Sequence, residues 1–266
     1  MIVNADDLAM TPGANKAIFD GFDNGAITHA SIMANCDFFD EAIVEANKRE
    51  GLGIGMHLNL TYGKALIQNP LYCNQNGVFK LGYKDLLLKR DNNFLNAIEK
   101  ELEEQIIKVK KSLNRDITHI DSHRHIHLIP HIYKIVIKLA KKYNINRVRL
   151  IKESFTKSIS LNKKFNFISN GGIIKYLLLK TFTTIDKKYC DLYKDINFYS
   201  ILYTGVVDSD ILYKLKDEKQ NYEIMIHPSY IELDKDIDFY DLGEKKYRLS
   251  IDRTIELKSV LSLKKD

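Results

Sequence analysis

Met1-Ile2-Val3-Asn4-Ala5-Asp6-Asp7 opens the chain, and this stretch decides how the rest of the sequence is interpreted. The short apolar start predicts a first strand over residues 1–4, and the two adjacent acids come where that strand runs out. In α/β barrels the catalytic residues lie at strand ends, so the acid pair is a candidate for chemistry. On its own the pair is more typical of a solvated turn, because Asn and Asp are ordinary turn residues.

Beyond this stretch, short apolar runs alternate with longer amphipathic segments, which is typical of repeated βα units around a mostly parallel sheet. Further strands are predicted at residues 27–33, 53–60, 117–121, 147–151 and 223–226. Helices are predicted from Thr11-Pro12-Gly13 to Asn24-Gly25, after a capping box of Asp37 and Glu41, and over residues 94–113, 131–143, 173–180 and 248–263. A length of 266 residues suits one α/β barrel. We expect a single-domain (β/α) barrel over residues 1–266, of regular or irregular form. The section 152–200 is rich in Lys and Asn and leaves the number of strands open.

Residues 61–86 interrupt this alternation, because they are rich in Gly, Asn and Pro. We interpret them as a long insertion loop after the third strand. Loops of this length in compact domains are often lids or binding loops. The aromatic residues of the loop either stack on sugar rings or pin the loop to the body, and the second role is the commoner one; they are Tyr62, Tyr72, Phe79 and Tyr83.

Composition and charge exclude several classes of protein. The sequence is 45% hydrophobic and 28% charged, which fits a globular core and neither a disordered nor a fibrous chain. The net charge of +5 comes from scattered lysines without a basic arm, so nucleic-acid binding is not indicated. The densest apolar stretch, residues 173–179, is interrupted by Lys175 and is too short to span a bilayer, so no membrane insertion is expected.

The N-terminal residues and the cysteines bear on the compartment. Only three residues precede Asn4, and they have neither the basic nor the apolar region of a secretory signal. Cys36, Cys73 and Cys190 are far apart and odd in number, which is typical of free thiols in a reducing compartment. We therefore expect a cytoplasmic protein.

Histidines at other predicted strand ends change the interpretation of the acid pair. Asp6-Asp7, His57, His123 and His227 each come where a predicted strand ends, and in a parallel barrel those ends share one face. Two imidazoles and a carboxylate from separate strands make a three-ligand site with open positions, the arrangement of catalytic zinc sites. Nitrogen ligands argue against a pure Mg²⁺ or Ca²⁺ cage, because those ions prefer oxygen. The pattern indicates a metal-assisted hydrolase.

The other histidines have structural explanations beside the functional one. His29 lies inside a predicted strand and His131 begins a helix, so neither is expected in the site. His119 either orients a neighbour or is a hydrogen-bonded core residue. The three histidines of the segment 123–127 recur at period two, and a continuing strand would aim all of them to one side.

Four motifs in order resemble those of the YdjC-like carbohydrate deacetylases, a family that includes the chitooligosaccharide deacetylases. They are Asn4-Ala5-Asp6-Asp7, Gly55-Met56-His57-Leu58-Asn59-Leu60, the segment from His119-Ile120-Asp121 to His127, and His227-Pro228-Ser229-Tyr230. The resemblance extends from residue 2 to about 230 and includes the second strand, Ile27-Thr28-His29-Ala30-Ser31. It implies a barrel-like α/β fold related to the polysaccharide deacetylases, one divalent metal ion, and removal of an N-acetyl group from an amino sugar.

Carried over by position, the resemblance makes Asp7, His57 and His123 the metal ligands. Asp6 becomes the general base and His227 the general acid. Metal-activated water would then attack the acetyl carbonyl while Asp6 accepts the proton of that water. The leaving amine needs a proton, and His227, with a reference pKa near 6.5, suits that task.

The remaining candidates are supporting residues. Asp121 is expected to hold a metal-bound imidazole by its second nitrogen. Asn59, Arg124 and His125 are candidates for substrate binding or for support of the ligands, although Arg124 and His125 equally suit local carboxylates. The ligand types favour Zn²⁺, with Mg²⁺, Co²⁺ or Ni²⁺ as alternatives. The family often continues its acid pair with Phe-Gly where this chain has Leu8-Ala9, so the turn lacks the usual glycine.

Other classes of function stay open beside a deacetylase of an acetylated amino sugar. A metal amidohydrolase would carry its His-x-His near the first strand, whereas here it follows residue 120. A phosphoesterase often needs ligands for a second metal, which His125 and His127 would have to supply. A non-catalytic sugar-binding or metal-sensing protein on the same fold has no need of both Asp6 and His227. The family often forms homodimers, so a homodimer is expected.

Overall fold

The computed structural model describes residues 1–162, 171–189, 196–216, 218 and 221–263. Its centre is a six-stranded sheet in the order β4-β3-β2-β1-β6-β5, with all neighbours parallel. The strands are β1 (Ile2–Leu8), β2 (His29–Ile32), β3 (Gly53–Leu58), β4 (Ile120–Ser122), β5 (Asn197–Tyr199) and β6 (Tyr222–Ile226). The helices are α1 (Pro12–Asp23), α2 (Phe39–Asn47), α3 (Tyr83–Leu88), α4 (Asn92–Ser112), α5 (Pro130–Lys142), α6 (Phe155–Leu161), α7 (Gly172–Asp186), α8 (Ser209–Lys216), α9 (Leu242–Arg248) and α10 (Ile251–Ser262).

The sheet curls into a barrel-like form, and one further segment contacts both of its edges. Val148 forms a parallel bridge with Ile120 of β4. At the other edge, the backbone N–H of Phe198 in β5 donates to the carbonyl of Lys152 at 3.0 Å. The predicted strand at 147–151 is therefore a short connection between β4 and β5 and not a regular strand. The expected α/β barrel is confirmed in an irregular form.

The helices that cover the sheet follow from their sequences. The Thr11 side chain accepts a hydrogen bond from the N–H of Ala14 at 3.1 Å, and Pro12 is the first residue of α1. Threonine is favoured as an N-cap residue, and proline is favoured at the first helical position. Helix α4 buries the predicted apolar stripe, which includes Phe94, Ile98 and Leu102. The helices predicted near residues 94–113, 131–143 and 173–180 correspond to α4, α5 and α7.

Several predicted boundaries were wrong. Strand β1 continues to Leu8 and so contains both acids, while β3 ends at Leu58. Asp37 does not cap α2, because the N-cap residue is Phe38 and it makes no side-chain hydrogen bond. The helix predicted at 248–263 is split, because α9 ends at Arg248 and α10 begins after an N-cap at Ser250.

The insertion after β3 packs on the body of the protein. The backbone N–H groups of Leu66 and Ile67 donate to the buried carboxylate of Glu101 in α4, at 3.1 and 2.7 Å. Tyr72 and Phe79 are buried, and the end of the predicted insertion is the helix α3. Tyr72 and Phe79 therefore anchor this loop to the body of the protein.

Two further expectations concern thiols and membrane spans. Cys36 and Cys73 are buried free thiols, whereas Cys190 lies outside the described residues. Among the residues that the structure describes, no helix combines the length and apolar character needed to cross a bilayer.

Candidate active site

The carboxyl ends of the parallel strands surround a cavity of about 460 Å³. Asp6 and Asp7 line it from β1, His57 from β3, and His123 and His227 from the positions directly after β4 and β6. Helices α7 and α9 and the loop after β5 complete the wall. The structure thus brings together the strand-end residues that the sequence singled out.

The backbone of β1 bends at the acid pair. Asp7 and Ala9 have φ angles of 68° and 79°, in the left-handed region, and the register of β1 against β2 shifts between Ala5 and Leu8. Adjacent side chains of a regular strand point to opposite faces. Because the strand is irregular here, both Asp6 and Asp7 line the same cavity.

Asp7, His57 and His123 form a compact buried cluster. The Oδ1 atom of Asp7 lies 3.2 Å from Nε2 of His57 and 3.0 Å from Nδ1 of His123. One potential ligand atom from each residue lies within 4.8 Å of the other two. A carboxylate and two imidazoles at this spacing are a donor set for a transition metal.

Asp121 fixes the ring of His57. Its Oδ1 lies 2.7 Å from His57 Nδ1, which leaves Nε2 facing Asp7. Ser31 donates to the other carboxylate oxygen of Asp121 at 2.6 Å. A carboxylate behind a metal-binding histidine is a common way to set its tautomer and orientation.

The charges of the cluster suit a bound cation. Burial alone would lower the pKa of His57, but Asp121 and Asp7 raise it to about 10. Burial would likewise raise the pKa of Asp7, but Arg248 and the two histidines hold it well below its usual value. The imidazole nitrogens that face Asp7 are Nε2 of His57 and Nδ1 of His123. These residues fit a divalent ion, which would replace protons on the imidazoles.

Asp6 belongs to a separate network around Arg149, which is fully buried. Arg149 donates to Asp6 Oδ2 at 2.7 Å and to Oδ1 at 2.8 Å. It also contacts Asp121 at 2.6 Å and Glu223 at 2.6 Å. Asp6, His57 and Asp121 form a second group with metal-ligand spacing, but the guanidinium already supplies a cation to both carboxylates. Burial raises the pKa of Asp6 despite the opposing charge of Arg149.

His227 lies on the other side of the Asp7 carboxylate. Its Nε2 is 3.8 Å from Asp7 Oδ2, and its Nδ1 has no hydrogen-bond partner among the described residues. Glu256 of α10 accepts the backbone N–H of His227 at 2.6 Å. Burial and the charges of Arg253, Arg248 and Lys175 lower the pKa of His227 well below its usual value, although Asp7 opposes this. The reference value near 6.5 therefore does not describe this imidazole.

Helix α9 contributes two residues that sequence reasoning missed. Arg248 forms an ion pair with Asp7 Oδ2 and donates to Glu244 at 2.7 Å. A Glu244 oxygen lies 3.6 Å from Nε2 of His123. Both side chains are buried. They lie one helical turn apart and follow no strand end, so only an i, i+4 pairing of opposite charges signalled them in the sequence.

The supporting candidates occupy different places. Arg124 lines the cavity but pairs with Glu244 at 3.0 Å and Asp241 at 3.5 Å, so it satisfies local carboxylates. His125 lines the cavity, is buried, and has no hydrogen-bond partner for Nδ1 among the described residues. Asn59 does not line the cavity. Its side chain donates to the carbonyl of Tyr62 at 2.6 Å and so shapes the loop after β3.

The segment after β4 does not continue as a strand, so its histidines do not share one face. Residues His123–Leu128 form a 3-10 helix in which Arg124 and His125 have φ angles of 55° and 56°. Both ring nitrogens of His127 are engaged, by Ser122 at 2.6 Å and by the Arg149 carbonyl at 3.0 Å. His127 is therefore not free to bind a second metal, which argues against the phosphoesterase alternative.

The remaining histidines have structural roles. His119 lies 3.0 Å from the Ser31 hydroxyl and so supports the partner of Asp121. His29 packs edge-on against His119 with ring centroids 5.8 Å apart. His131 donates to the Leu86 carbonyl at 2.8 Å, away from the cavity.

Comparisons with known proteins show which family and fold this chain resembles. The family model described as YdjC-like protein matches residues 1–264. A carbohydrate deacetylase of Clostridium beijerinckii is 30% identical over 237 residues, 87% of this chain and 82% of that protein. A carbohydrate deacetylase of Thermoanaerobacter pseudethanolicus is 34% identical over 236 residues, with the same coverage of 87% and 82%. A crystal structure described as a putative cellobiose-phosphate cleavage protein of Enterococcus faecalis V583 has the same fold, with a TM-score of 0.67, 22% identity, and coverage of 98% of this chain and 90% of that one.

Proposed function

The chain belongs to the YdjC-like protein family, and we propose that it is a metal-dependent carbohydrate deacetylase that hydrolyses the N-acetyl group of an amino sugar or its oligosaccharide. The observation that carries this proposal is the arrangement of Asp7, His57 and His123 around one point, with Asp6 beside them. The names of the relatives, carbohydrate deacetylases, support the same substrate class.

Asp7, His57 and His123 would hold the metal ion. Such an ion supplies Lewis-acid chemistry, since it makes a water nucleophilic near neutral pH and polarises the acetyl carbonyl. The two imidazoles favour Zn²⁺ among the candidates, with Mg²⁺, Co²⁺ or Ni²⁺ as alternatives. Asp121 and Glu244 would orient the two histidines from behind, by the contacts to His57 and His123.

Asp6 would act as the general base. Its Oδ1 atom accepts hydrogen bonds from Asn4 and Arg149, while Oδ2 accepts only from Arg149 among the described donors. A carboxylate oxygen has two acceptor positions, so Oδ2 retains one for the proton of the attacking water. The pKa of Asp6 is raised by burial, which makes this carboxylate a stronger base than an exposed one.

His227 would protonate the leaving amine. The imidazole lies in the cavity with an unpartnered Nδ1, and its backbone is anchored by Glu256 and by Arg253, which donates to the His227 carbonyl at 3.0 Å. The lowered pKa leaves the resting imidazole neutral near neutral pH, so His227 would take up a proton during turnover and then pass it readily to the amine. Proton delivery at this position matters because an amine is a poor leaving group.

The decisive experiment measures acetate release from N-acetylglucosamine and its oligomers. The protein is assayed after metal removal and after reloading with Zn²⁺, Co²⁺, Ni²⁺ or Mg²⁺. We expect release only from the reloaded protein, and loss of release in His227→Ala with metal still bound. Full metal occupancy without release from any free, nucleotide-linked or lipid-linked N-acetylated sugar would overturn the proposal in favour of a non-catalytic sugar-binding or metal-sensing protein.

A further inference from the structure

One cation in the wall of the cavity has no counter-charge among the residues that the structure describes. Lys175 of α7 lines the cavity, and its ammonium group makes neither a hydrogen bond nor an ion pair with the described residues. The arginines of the described lining are paired. Arg248 contacts Asp7 and Glu244, and Arg124 contacts Glu244 at 3.0 Å. The catalytic roles proposed above make no use of Lys175.

The acids whose charges reach Lys175 are held by other partners. Burial lowers the pKa of Lys175, and the charges of Glu153 and Asp6 oppose that shift. Asp6 accepts hydrogen bonds from Arg149 at 2.7 and 2.8 Å. Glu153 is buried and accepts the N–H of Ile201 at 2.8 Å. Neither carboxylate forms an ion pair with Lys175, so the ammonium group remains available to a ligand in the cavity.

The N-terminus of α7 adds to the positive potential of this wall. Gly171, the N-cap residue, and Gly172 both line the cavity. Lys175 lies three residues after Gly172 and four after Gly171, so all of them share one face of the helix. Gly171 supplies no capping side chain to the first N–H groups of α7. Such free N–H groups at a helix start favour a negatively charged ligand.

A buried imidazole offers a further polar atom to the same cavity. The 3-10 helix His123–Leu128 packs against α7, and its residue His125 lines the cavity. His125 is 4% exposed, and its Nδ1 has no hydrogen-bond partner among the described residues. A buried polar atom without a partner costs free energy, so a ligand that satisfies it gains affinity. A neutral imidazole can donate such a bond from one ring nitrogen.

The lining also contains an acid, on a different element. Of the described acids in the lining, Asp252 alone has no ion pair; it lies at the start of α10, against Gly205 in the loop after β5. Asp252 is not among the acids whose charge shifts the pKa of Lys175. The cavity is therefore positive at the α7 wall and acidic at α10. This polarity suits a sugar that has an anionic group at one position and hydroxyl groups elsewhere.

We propose that Lys175, the N-terminus of α7 and His125 form a subsite that binds an anionic substituent of the sugar, either a phosphate ester or a carboxylate. Resting on the proposed function, the substrate class is then an acidic N-acetylated amino sugar, and Lys175 is the residue that selects it. A hydrogen bond from an ammonium group to a carboxylate or phosphate oxygen is about twice as strong as a bond between neutral groups.

The test compares N-acetylglucosamine with two acidic sugars of the same ring, its 6-phosphate and N-acetylmuramic acid, which has a lactyl carboxylate. The metal-loaded protein is assayed for acetate release, and kcat/KM is determined for each sugar. We expect a preference of about 10-fold or more for at least one acidic sugar, mainly through KM, because the subsite binds ground state and transition state alike. The acidic sugar that is preferred identifies the substituent as phosphate or carboxylate.

Variants of Lys175 show whether this residue is the cause. Lys175→Met should lose the preference for acidic sugars, and Lys175→Arg should retain part of it, because only the second variant keeps the positive charge. The matched control is Lys214→Met, at an exposed lysine of α8 outside the cavity lining, and it should keep the full preference. Thermal unfolding of each variant verifies its fold.

Two outcomes would overturn the subsite. One is an equal kcat/KM for neutral and acidic sugars, and the other is a preference that Lys175→Met leaves unchanged, which would place the anion on the metal ion instead. Calorimetric binding of the deacetylated sugars, glucosamine, its 6-phosphate and muramic acid, needs no turnover. Tighter binding of an acidic sugar that Lys175→Met abolishes, without acetate release from any sugar, would support the subsite and contradict the proposed function alone.

Discussion

Asp6 and Asp7 are adjacent carboxylates whose surroundings shift their pKa values in opposite directions. Burial raises the pKa of Asp6, whereas Arg248, His123 and His57 hold the pKa of Asp7 well below its usual value against the effect of burial. A pair of titratable groups separated in this way commonly divides two roles between them. Asp7, which stays charged, suits the role of a metal ligand. Asp6 accepts protons more readily and suits the role of a general base.

Substitution of each acid by Asn separates these roles. We expect Asp6→Asn to lower kcat by about 100-fold or more while metal stays bound, because the proton acceptor is removed and Arg149 keeps Asp121 and Glu223 as counter-charges. Asp7→Asn should instead weaken metal binding, because it removes a charged ligand. Metal content and affinity are measured beside acetate release, with thermal unfolding to verify the fold of each variant. Loss of metal in Asp6→Asn would show that the two roles are exchanged.

Glu244 is expected to act as a positioning residue for His123. Its oxygen lies 3.6 Å from Nε2, which leaves Nδ1 facing Asp7. Glu244→Gln should weaken metal affinity about 10-fold, the lower end of the effect of supporting partners of ligands. Metal competition titration measures this without any turnover. The control is Glu232→Gln, at an exposed residue. If Glu244→Gln leaves the metal affinity unchanged, Glu244 does not position His123 and serves only as an ion-pair partner of Arg248 and Arg124.

At the scale of elements, the strand-end residues could be predicted and the helical contributions could not. His57 and His227 follow apolar runs that only a buried strand explains, so their positions follow from the barrel arrangement. Arg248 and Glu244 reach the site from α9, and their approach depends on how that helix packs, which no local pattern encodes. Arg149 could not be assigned either, because the connection at 147–152 is too short and irregular to show which face its side chains take.

The turn between β1 and α1 contains a strained alanine where the family often has glycine. Ala9 is fully buried with a φ of 79°, and its N–H donates to Asn15 Oδ1 at 2.7 Å. The left-handed conformation costs an L-residue about 1–2 kcal/mol. Exchange for Gly removes that strain but loses about 0.8 kcal/mol of methyl burial and about 0.5–1 kcal/mol through chain flexibility.

We therefore expect Ala9→Gly to change the free energy of unfolding by close to zero. The control is Ala30→Gly in β2, at an equally buried residue of an extended strand. Without strain to relieve, this exchange should destabilise by about 1.5 kcal/mol. Urea unfolding measures both variants. Equal losses would show that the turn at Ala9 stores no strain.

At the scale of the whole molecule, the fold keeps many ionisable groups out of water, and their surroundings shift their pKa values in both directions. Asp7, Asp121 and Glu223 are buried but paired with arginines, so their pKa values are lowered despite burial. Asp186 at the end of α7 is fully buried, and neither carboxylate oxygen has a hydrogen-bond partner among the described residues. Burial raises the pKa of Asp186 to about 8 from 3.8. The carboxylates with lowered pKa values stabilise the folded state above their unfolded pKa. The raised pKa of Asp186 instead lowers the stability as pH rises.

The pH dependence of stability tests this last assignment. A group whose pKa is raised in the folded state contributes its full stabilisation at pH values below its unfolded pKa. That stabilisation is lost as pH rises toward the pKa of the folded state. For Asp186 the window runs from pH 3.8 to about 8. Within this pH range, the titration of Asp186 should lower the free energy of unfolding by up to about 1.4 kcal/mol per pH unit. Asp186→Asn cannot ionise, so it should gain stability over the unaltered protein as pH rises from 5 to 7.

Urea unfolding at several pH values measures this difference, with Asp236→Asn as the control because Asp236 is exposed. The control should follow the unaltered protein at every pH. The gain in Asp186→Asn should level off above about pH 8, where the folded carboxylate is already ionised. A difference between Asp186→Asn and the unaltered protein that is constant with pH would mean that the carboxylate is ionised throughout. The interior at the end of α7 would then have to supply a cation or hydrogen-bond donors to Asp186.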